Sequence, residues 1–502
     1  MQTWKRVLSC FAALCLTLGL LGGLTRLTQK KDSYAKHAEF FEQDAPYDVF
    51  FVGSSRMMNG VFPMELWEDH GIVSYNWAQA GHPPPAYYWV MRLALDYKQP
   101  KLMVIDCYGM HFDAKTTAVF GLMHISLDSF PLSLNKIRAV RDLMDDPSMT
   151  EEYNEGERRS AFNLLWTFPV FHSRWAQLTE EDFRPQKNLT RGAIANGDMY
   201  GTDFVRDDSE RGRVFDTVGV QYLRRAVEEC QSRGIEVLMT FIPLFADAEQ
   251  QAAARCAGEI AAEYGVDYLN FFDLDVVNYH VDFADTAGHL NTAGARKVTQ
   301  YIGDYITERY GIPDRRGEAA YGNWERDHAL YTEKKNEELR AQEDLYHYLM
   351  LLTRDAADAA LLVNDGSLFR DPVAAELLAG LGLKIGELLD NTKLILIKNG
   401  GESAAALSEL PAAGETVSTP AGTVTGGETL LWGGMPIAAG GTDDLHITVL
   451  RDGIEIDSVG FDYVLDPDSG RVTQQSTNRS GESSRAFHKK GMIYQVDLAK
   501  QN

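Results

Sequence analysis

The chain has 502 residues, of which 45% are apolar and 24% charged, and its formal net charge is −24. This length and composition indicate two or three ordinary globular domains and argue against wholesale disorder. The acidic balance argues against a nucleic-acid partner, because no basic surplus is present to displace counterions from phosphates. The five cysteines form neither a disulfide framework nor a Cys-x-x-Cys spacing, and we predict no cofactor and no metal.

An apolar stretch opens the chain. Residues 7–24 carry no charge and are flanked by Lys5, Arg6 and Arg26. At about 1.5 Å per residue, a helix of this stretch nearly spans a hydrocarbon core. No small-residue cleavage site follows it, so residues 1–33 are interpreted as an uncleaved signal anchor, with a cleaved signal peptide as the alternative. We expect a single pass through the cell membrane and an extracytoplasmic remainder.

Strand-like and helix-like segments then alternate. Buried strands are predicted at 49–52, 72–76, 101–106, 236–242 and 266–272, and helices at 63–70, 87–97, 218–233, 247–264 and 292–309. This alternation predicts an α/β fold with a parallel sheet covered by helices on both faces. The domain is expected over residues 34–315, with an aromatic-rich insertion at 110–216.

The composition changes in the C-terminal part. Residues 316–341 are strongly charged and predict a helical linker. Strand-like runs separated by Gly-, Ala- and Thr-rich loops, such as 411–427, predict a smaller α+β or β-sandwich domain over residues 342–470. The segment 471–502 is interpreted as a polar tail with partial disorder.

One serine lies where an α/β sheet would hold a ligand. Ser55 follows the predicted strand 49–52 and Gly53, and the carboxyl ends of parallel strands border the binding crevice of such sheets. A serine nucleophile needs a histidine base and a carboxylate that orients it. Asp285 and His289, just before a predicted helix, supply both types of residue. By themselves, these residues also fit a turn serine, a surface aspartate and a capping histidine.

Three blocks, taken together, resemble the SGNH/GDSL hydrolase superfamily: VFFVGSSRMMNG, SYNWAQAG and DTAGHLNTAGA. The resemblance implies that Ser55 is the nucleophile, that Ser55 and Gly81 donate backbone N–H groups to an oxyanion, and that His289 and Asp285 are base and orienter. It also implies a flavodoxin-like three-layer sandwich. Ser54 stands where the family has Asp, which is similar to its membrane-anchored branch near the D-alanyl-lipoteichoic acid transfer and alginate O-acetylation proteins.

The chain departs from the family pattern at two places. Three residues rather than two separate Asp285 from His289, so Asp282 is an alternative acid. The third block normally carries an Asn that completes the oxyanion hole, whereas residues 106–109 read Asp-Cys-Tyr-Gly. Asn59 and Asn76 are therefore the candidate replacements for that donor.

The resemblance implies a serine esterase or O-acyltransferase that acts on acyl esters of cell-envelope polysaccharide through an acyl-serine. A membrane-bound O-acyltransferase is the partner it implies. The alternatives are a catalytically silent binding or scaffold protein that keeps the fold, and a purely structural envelope protein. The C-terminal stretch LLWGGMPIAAGGTDDLHITVLRDGIEIDSVGFD resembles, more loosely, the interleukin-like EMT inducer domain, whose pattern would include Trp432 and Asp462. This likeness implies an accessory module that binds carbohydrate or a partner, and a structural domain without a ligand is the alternative.

Overall fold

The computed structural model describes residues 2–29, 37–81, 83–112, 120–146, 160–184, 187–383, 394–399, 403–437, 442–479 and 488–489. The chain divides into two compact units. The first unit comprises Met1–Ile194, Arg206–Asp275 and Thr299–Glu325. The second unit comprises Ala195–Val205, Val276–Val298 and Arg326–Asn502.

The helices and strands are numbered separately in chain order. The α-helices are α1 (Gln2–Thr28), α2 (Ala38–Glu42), α3 (Ser55–Gly60), α4 (Pro63–His70), α5 (Pro84–Ala94), α6 (Phe120–Leu127), α7 (Leu134–Asp145), α8 (Ala161–Leu165), α9 (Phe168–Phe171), α10 (Glu180–Phe183), α11 (Val218–Ser232), α12 (Ala248–Tyr264), α13 (Thr292–Tyr310), α14 (Gly322–Ala341), α15 (Leu345–Arg354) and α16 (Pro372–Gly380). The strands are β1 (Val49–Val52), β2 (Ser74–Asn76), β3 (Leu102–Asp106), β4 (Glu236–Phe241), β5 (Asp267–Asn270), β6 (Asp358–Val363), β7 (Leu394–Asn399), β8 (Ser403–Leu407), β9 (Thr416–Thr419), β10 (Gly422–Thr425), β11 (Leu430–Trp432), β12 (Met435–Ile437), β13 (Leu445–Arg451), β14 (Ile454–Leu465), β15 (Val472–Asn478) and β16 (His488–Lys489).

Helix α1 is long and apolar enough to cross a membrane. Its segment Trp4–Thr28 contains an 18-residue window with a mean hydropathy of 2.2, and none of that window is buried against the protein. Side chains that are exposed and apolar over a whole helix are typical of a helix surrounded by lipid. The expected apolar N-terminal helix is therefore present.

The first unit is built on a five-stranded sheet in the order β2-β1-β3-β4-β5, and every neighbouring pair is parallel. All four residues of β1 are buried, as expected for a strand covered on both faces. The chain runs from β1 outward to β2 and then returns to β3 on the opposite side of β1. The predicted α/β fold with a parallel sheet is thus confirmed.

Local sequence signals set the ends of the helices around this sheet. Pro63 occupies the first turn of α4, and Gly71 follows the helix in the left-handed conformation at φ 65°. Helix α12 begins with a capping box in which the Asp247 carboxylate accepts from the Gln250 backbone N–H and the Gln250 side chain accepts from the Asp247 N–H. These two helices agree with the sequence prediction to within one residue.

The second unit contains a seven-stranded antiparallel sheet in the order β16-β15-β14-β13-β6-β7-β8 and a four-stranded sheet in the order β12-β11-β10-β9. Its core joins helices α15 and α16 to the larger sheet through buried side chains that include Leu349, Leu377, Leu361, Ile447 and Phe461. The segment 276–298 contributes Val281 and Ala293 to the same core.

Two stretches in this unit differ from the sequence prediction. Residues 411–427 were expected to be a loop, but they contain β9 and β10. The start of the expected polar tail is strand β15, which pairs with β14. Strands with many polar side chains show no clear hydrophobic pattern in the sequence. They are stabilised by pairing with a neighbouring strand, which the local sequence does not reveal. Residues 480–487 and 490–502 of the tail lie outside the described residues.

Candidate functional site

The stretch after β1 forms a tight turn that leads directly into α3. Gly53 has φ 153°, and a Cβ at this position would lie 2.5 Å from the Cβ of Asp106, so only glycine fits. Ser54 is the N-cap of α3, and its Oγ accepts from the backbone N–H of Arg56 at 3.2 Å. Ser55 is the first residue of the helix and is half-buried, whereas its neighbours are buried. The turn therefore leaves Ser55 in partial contact with solvent.

Asp106, at the carboxyl end of β3, holds this turn in place. Its Oδ2 accepts from the Ser54 hydroxyl at 2.8 Å and from the Ser54 N–H at 3.4 Å. Its Oδ1 accepts from the Tyr108 N–H at 3.1 Å. Burial raises the pKa of Asp106 above its ordinary value, although these hydrogen bonds oppose the rise. Asp106 was predicted at the end of a strand, but no role was predicted for it.

The turn lies where the strand order of the sheet reverses direction. The connections from β1 and β3 leave on opposite sides, and ligands of open α/β sheets bind at such a switch point. The Gln79 N–H donates to the Gly53 carbonyl at 3.3 Å, so the loop after β2 is attached to the same turn. Gly81, farther along this loop, is exposed and has φ 60°. Ser55 and Gly81 therefore belong to neighbouring loops at one edge of the sheet.

The two asparagines considered as oxyanion donors have other partners. The Asn76 Nδ2 donates to the carbonyls of Met57 and Val61 at 2.9 and 2.8 Å. Both of its amide hydrogens are thus occupied, and an oxyanion role for Asn76 requires that one of these bonds break. The Asn59 Nδ2 donates to the Ile194 carbonyl at 2.8 Å.

Asp285 and His289 form a hydrogen-bonded pair in the second unit. The Asp285 Oδ2 lies 2.7 Å from the His289 Nδ1, and Oδ1 accepts from the His289 backbone N–H at 3.1 Å. The side chains are 29% and 21% exposed, so the ring is accessible. Gly288, at φ 78°, turns the chain so that both contacts form. Asp282, the alternative acid, instead accepts a hydrogen bond from Lys297 Nζ through its Oδ2 at 2.7 Å.

A second Ser-His-Asp arrangement lies on the antiparallel sheet of the second unit. His446 contacts Asp443 through Nδ1 at 3.0 Å and Ser458 through Nε2 at 2.9 Å. The Ser458 N–H donates to the Asp457 carboxylate at 3.0 Å and is not available to an oxyanion. Ser458 also lies within strand β14, not in a strand-to-helix turn. We interpret this network as a polar contact that joins two strands. Sequence reasoning missed it, because the contact between His446 and Ser458 depends on the pairing of β13 with β14.

The C-terminal residues that belong to the inducer-like pattern are internal. Trp432 is buried, and its Nε1 donates to the Ala421 carbonyl at 2.9 Å. Asp462 is buried, and its Oδ1 accepts from the Asp444 N–H at 3.2 Å. Trp432 therefore offers no open ring face for stacking on a sugar.

A small cavity lies behind the strand ends of the first unit, between β1, β3, α5 and α11. Its walls include Val52, Tyr87, Ile105, Asp106 and Leu223. With a volume of about 20 Å³ it has room for one water molecule but not for an acyl chain. Within the described ranges, no group of three or more His, Cys, Asp or Glu side chains is arranged to hold a metal ion.

Comparisons with known proteins add no assignment. A scan against protein-family models finds no match, and a search of curated proteins finds no relative.

Proposed function

We propose that the protein is a membrane-anchored serine esterase or O-acyltransferase of the SGNH kind, acting on acyl esters of cell-envelope polysaccharide. The observation that carries the proposal is the partly exposed Ser55 on a glycine-dependent turn at the switch point of a parallel sheet. The strand order 2-1-3-4-5 is that of flavodoxin-like folds, which agrees with the three-layer sandwich of that superfamily. The Asp285–His289 pair supplies a base that is already oriented.

The chemistry follows from the tautomer of His289. A proton on Nδ1 is stabilised by the Asp285 carboxylate, so Nε2 carries the lone pair. In the proposed reaction Nε2 takes the Ser55 hydroxyl proton as Oγ attacks the ester carbonyl. The negative oxygen of the tetrahedral intermediate is stabilised by the backbone N–H groups of Ser55 and Gly81. The imidazolium then returns the proton to the leaving alcohol, and an acyl-serine remains.

The second half of the reaction repeats these steps with a new acceptor. Water or a carbohydrate hydroxyl gives its proton to His289 Nε2 and attacks the acyl-serine. The released Ser55 oxygen recovers the proton from the imidazolium. Water makes the protein an esterase, and a carbohydrate hydroxyl makes it a transferase. A membrane-bound O-acyltransferase is the partner that would deliver acyl groups to such an enzyme.

A position of the first unit close to the membrane surface is supported by contacts within that unit. The Arg174 Nη1 donates to the Thr28 carbonyl at 2.7 Å, and the Trp166 Nε1 donates to the Thr25 Oγ1 at 3.0 Å. Both contacts attach the aromatic insertion to the last turns of α1. Trp175, 73% exposed, is close in sequence to these contacts, and exposed aromatic rings are typical of the membrane–water interface.

A catalytically silent binding or scaffold protein is the second candidate. The engaged amide of Asn76 and the absence of an asparagine after β3 favour it, because one expected oxyanion donor is missing. Loss of one such donor reduces kcat by about 10²- to 10³-fold in a serine hydrolase. Such a protein would bind acylated glycan without turning it over.

The two candidates are separated by ester hydrolysis with the full-length protein in detergent. Small aryl acetates and an O-acetylated polysaccharide serve as substrates, with and without an added saccharide acceptor. We expect Ser55→Ala and His289→Ala to reduce kcat/KM by about 10³-fold or more. Ser458→Ala is the matched control and should change kcat/KM by less than about twofold. Hydrolysis by wild type no faster than the uncatalysed reaction would support the scaffold, and equal hydrolysis above that rate by wild type and Ser55→Ala would show that Ser55 is not the nucleophile.

A further inference from the structure

A buried guanidinium that forms no ion pair within the described residues lies beside the candidate nucleophile. Arg56 follows Ser55 in α3 and is 7% exposed. Its Nε and Nη1 are enclosed and form no hydrogen bond. Nη2 is not among the enclosed atoms and has no partner among the described residues, so it is the nitrogen that solvent reaches. The backbone N–H of Arg56 donates to the Ser54 hydroxyl oxygen, but its guanidinium forms no ion pair with any residue that the structure describes.

The location of this charge is defined by its neighbours. The guanidinium carbon lies 5.1 Å from the centre of the Tyr108 ring, just past the end of β3. Arg56 therefore lies near the carboxyl end of β3, where the family pattern has an asparagine and this chain has none. Asp106 is the nearby acid, but its oxygens accept from Ser54 and Tyr108 and form no ion pair with Arg56. Arg56 acts on Asp106 only through space, and its positive charge opposes the rise in the pKa of Asp106.

Two other arginines with little exposure are paired with an acid. Arg354 is buried to the same degree, at 6% exposure, and its Nη1 lies 2.7 Å from the Glu338 carboxylate. The Arg451 Nη2 lies 2.7 Å from Asp355. A charge taken out of water without a partner is strongly unfavourable, so proteins pair it or bind an ion there. Arg56 differs from Arg354 and Arg451, because no acid within the described residues forms an ion pair with it.

We infer that Arg56 binds an anionic oxygen group, a carboxylate or a phosphate, of the substrate whose ester is attacked by Ser55. A planar guanidinium matches both groups through paired N–H donors. A permanent charge calls for an anion that is present in the bound substrate, whereas the oxyanion of an acyl transfer is transient. This inference rests on the proposed function for the role of Ser55, but the anion site itself does not.

The first test measures anion binding without any catalysis. Inorganic phosphate and acetate are titrated against chloride at constant ionic strength, and the unfolding midpoint of the full-length protein is recorded. We expect phosphate or acetate to raise the midpoint of wild type and of Arg211→Gln, an exposed arginine of the same unit. We expect no such rise for Arg56→Gln and Arg56→Met. Equal rises in all four proteins would overturn the inference.

The second test compares matched esters. 4-Acetoxybenzoate and 4-acetoxyphenyl phosphate carry a charge, and 4-acetoxybenzamide is the neutral counterpart. In Arg56→Gln, the kcat/KM ratio of a charged ester to the neutral ester should fall about 10- to 100-fold, mainly through KM. The ester with the larger fall identifies carboxylate or phosphate as the preferred anion.

The outcomes of the two tests are separable. An equal loss of kcat for charged and neutral esters would overturn the inference and make Arg56 a donor to the oxyanion. If wild type hydrolyses no ester, the proposed function fails, and the phosphate titration still decides whether Arg56 binds an anion. A normal unfolding midpoint of Arg56→Met in chloride shows that loss of binding is not loss of folding. A large fall in that midpoint would make Arg56 a structural residue and contradict the inference.

Discussion

The Asp285 carboxylate contacts His289 twice, through the ring Nδ1 at 2.7 Å and through the backbone N–H at 3.1 Å. The second contact fixes the chain around the ring, and the first fixes the ring itself. Three intervening residues, one more than the family pattern, are accommodated because Gly288 turns back and the Ala284 N–H bonds to the His289 carbonyl at 2.8 Å. The longer spacing therefore does not separate acid and base.

Replacement of this acid should reduce activity but not stability. In Asp285→Asn the ring loses the carboxylate acceptor for Nδ1–H, so in the proposed reaction Nε2 would no longer accept the serine proton. We expect kcat for ester hydrolysis to fall about 10²- to 10⁴-fold. The unfolding midpoint should change little, because both side chains are partly exposed.

Asp282→Asn provides the contrast for this experiment. Asp282 is 1% exposed and accepts from Lys297 Nζ and from the Asn278 N–H. Its loss leaves a charge without a partner, which should lower the free energy of unfolding by about 3 kcal/mol. A larger loss of kcat in this variant than in Asp285→Asn would make Asp282 the orienting acid.

The turn before Ser55 should not tolerate a side chain at Gly53. In Gly53→Ala the new Cβ meets Asp106, and the φ of 153° is strained for any residue but glycine. We expect the free energy of unfolding to fall by about 3 kcal/mol, measured by chemical denaturation. Gly234→Ala, where φ is 72° and no atom lies within 4 Å, should lower it by only about 1 kcal/mol. Similar values for the two variants would contradict the role of the close contact.

Removal of the Asp106 carboxylate should loosen the same turn. Asp106→Ala leaves the Ser54 hydroxyl, the Ser54 N–H and the Tyr108 N–H without their acceptor in a buried position. We expect a loss of about 3 kcal/mol in the free energy of unfolding, together with reduced ester hydrolysis. The exposed Asp273, paired with Arg206, is the control, and its change to Ala should cost less than about 1 kcal/mol. A stable, fully active Asp106→Ala protein would show that the turn does not need this acid.

Stability should fall as pH rises through neutrality because of Glu39 in α2. Burial raises the pKa of Glu39 from 4.5 to about 7. Between these values the folded chain keeps a proton that the unfolded chain has released. The stabilisation is complete below pH 4.5 and is lost as pH rises through about 7. The loss is at most about 3 kcal/mol.

The pH dependence is measured from unfolding midpoints at pH 5 and pH 8. Glu39→Gln carries no titrating group at this position and should show a smaller difference between the two conditions. It should also be more stable than wild type at pH 8. Identical pH profiles for the two proteins would show that Glu39 is ionised in the folded chain throughout this range.

Much of the parallel sheet could be predicted from the sequence. Strand β1 and helix α4 have the predicted bounds, because a short apolar run bounded by glycine and a helix bounded by Pro63 and Gly71 carry local signals. Strand β15 could not be predicted from polarity, since its residues are ordered by pairing with β14.

For the candidate site, the sequence predicted which residue types could carry the chemistry, but not their burial or their hydrogen-bond partners. The sequence has a serine, an aspartate and a histidine in a known order, at Ser55, Asp285 and His289. The hydrogen bonds of Asn76 could not be predicted, because their acceptors lie 15 to 19 residues away in the chain. Arginine is usually an exposed residue type, and only the three-dimensional structure shows that Arg56 is buried. Burial and partners are tertiary properties, and local pattern does not encode them.

The central claim is that Ser55 is a nucleophile activated by His289. The most direct measurement is covalent labelling of the full-length protein by a fluorophosphonate at pH 7, with the adduct located by peptide mass spectrometry. We predict an adduct on Ser55 that forms in wild type and Ser458→Ala but at least about 100-fold more slowly in His289→Ala. An adduct on Ser458, or none on Ser55 in the folded wild-type protein, would contradict it.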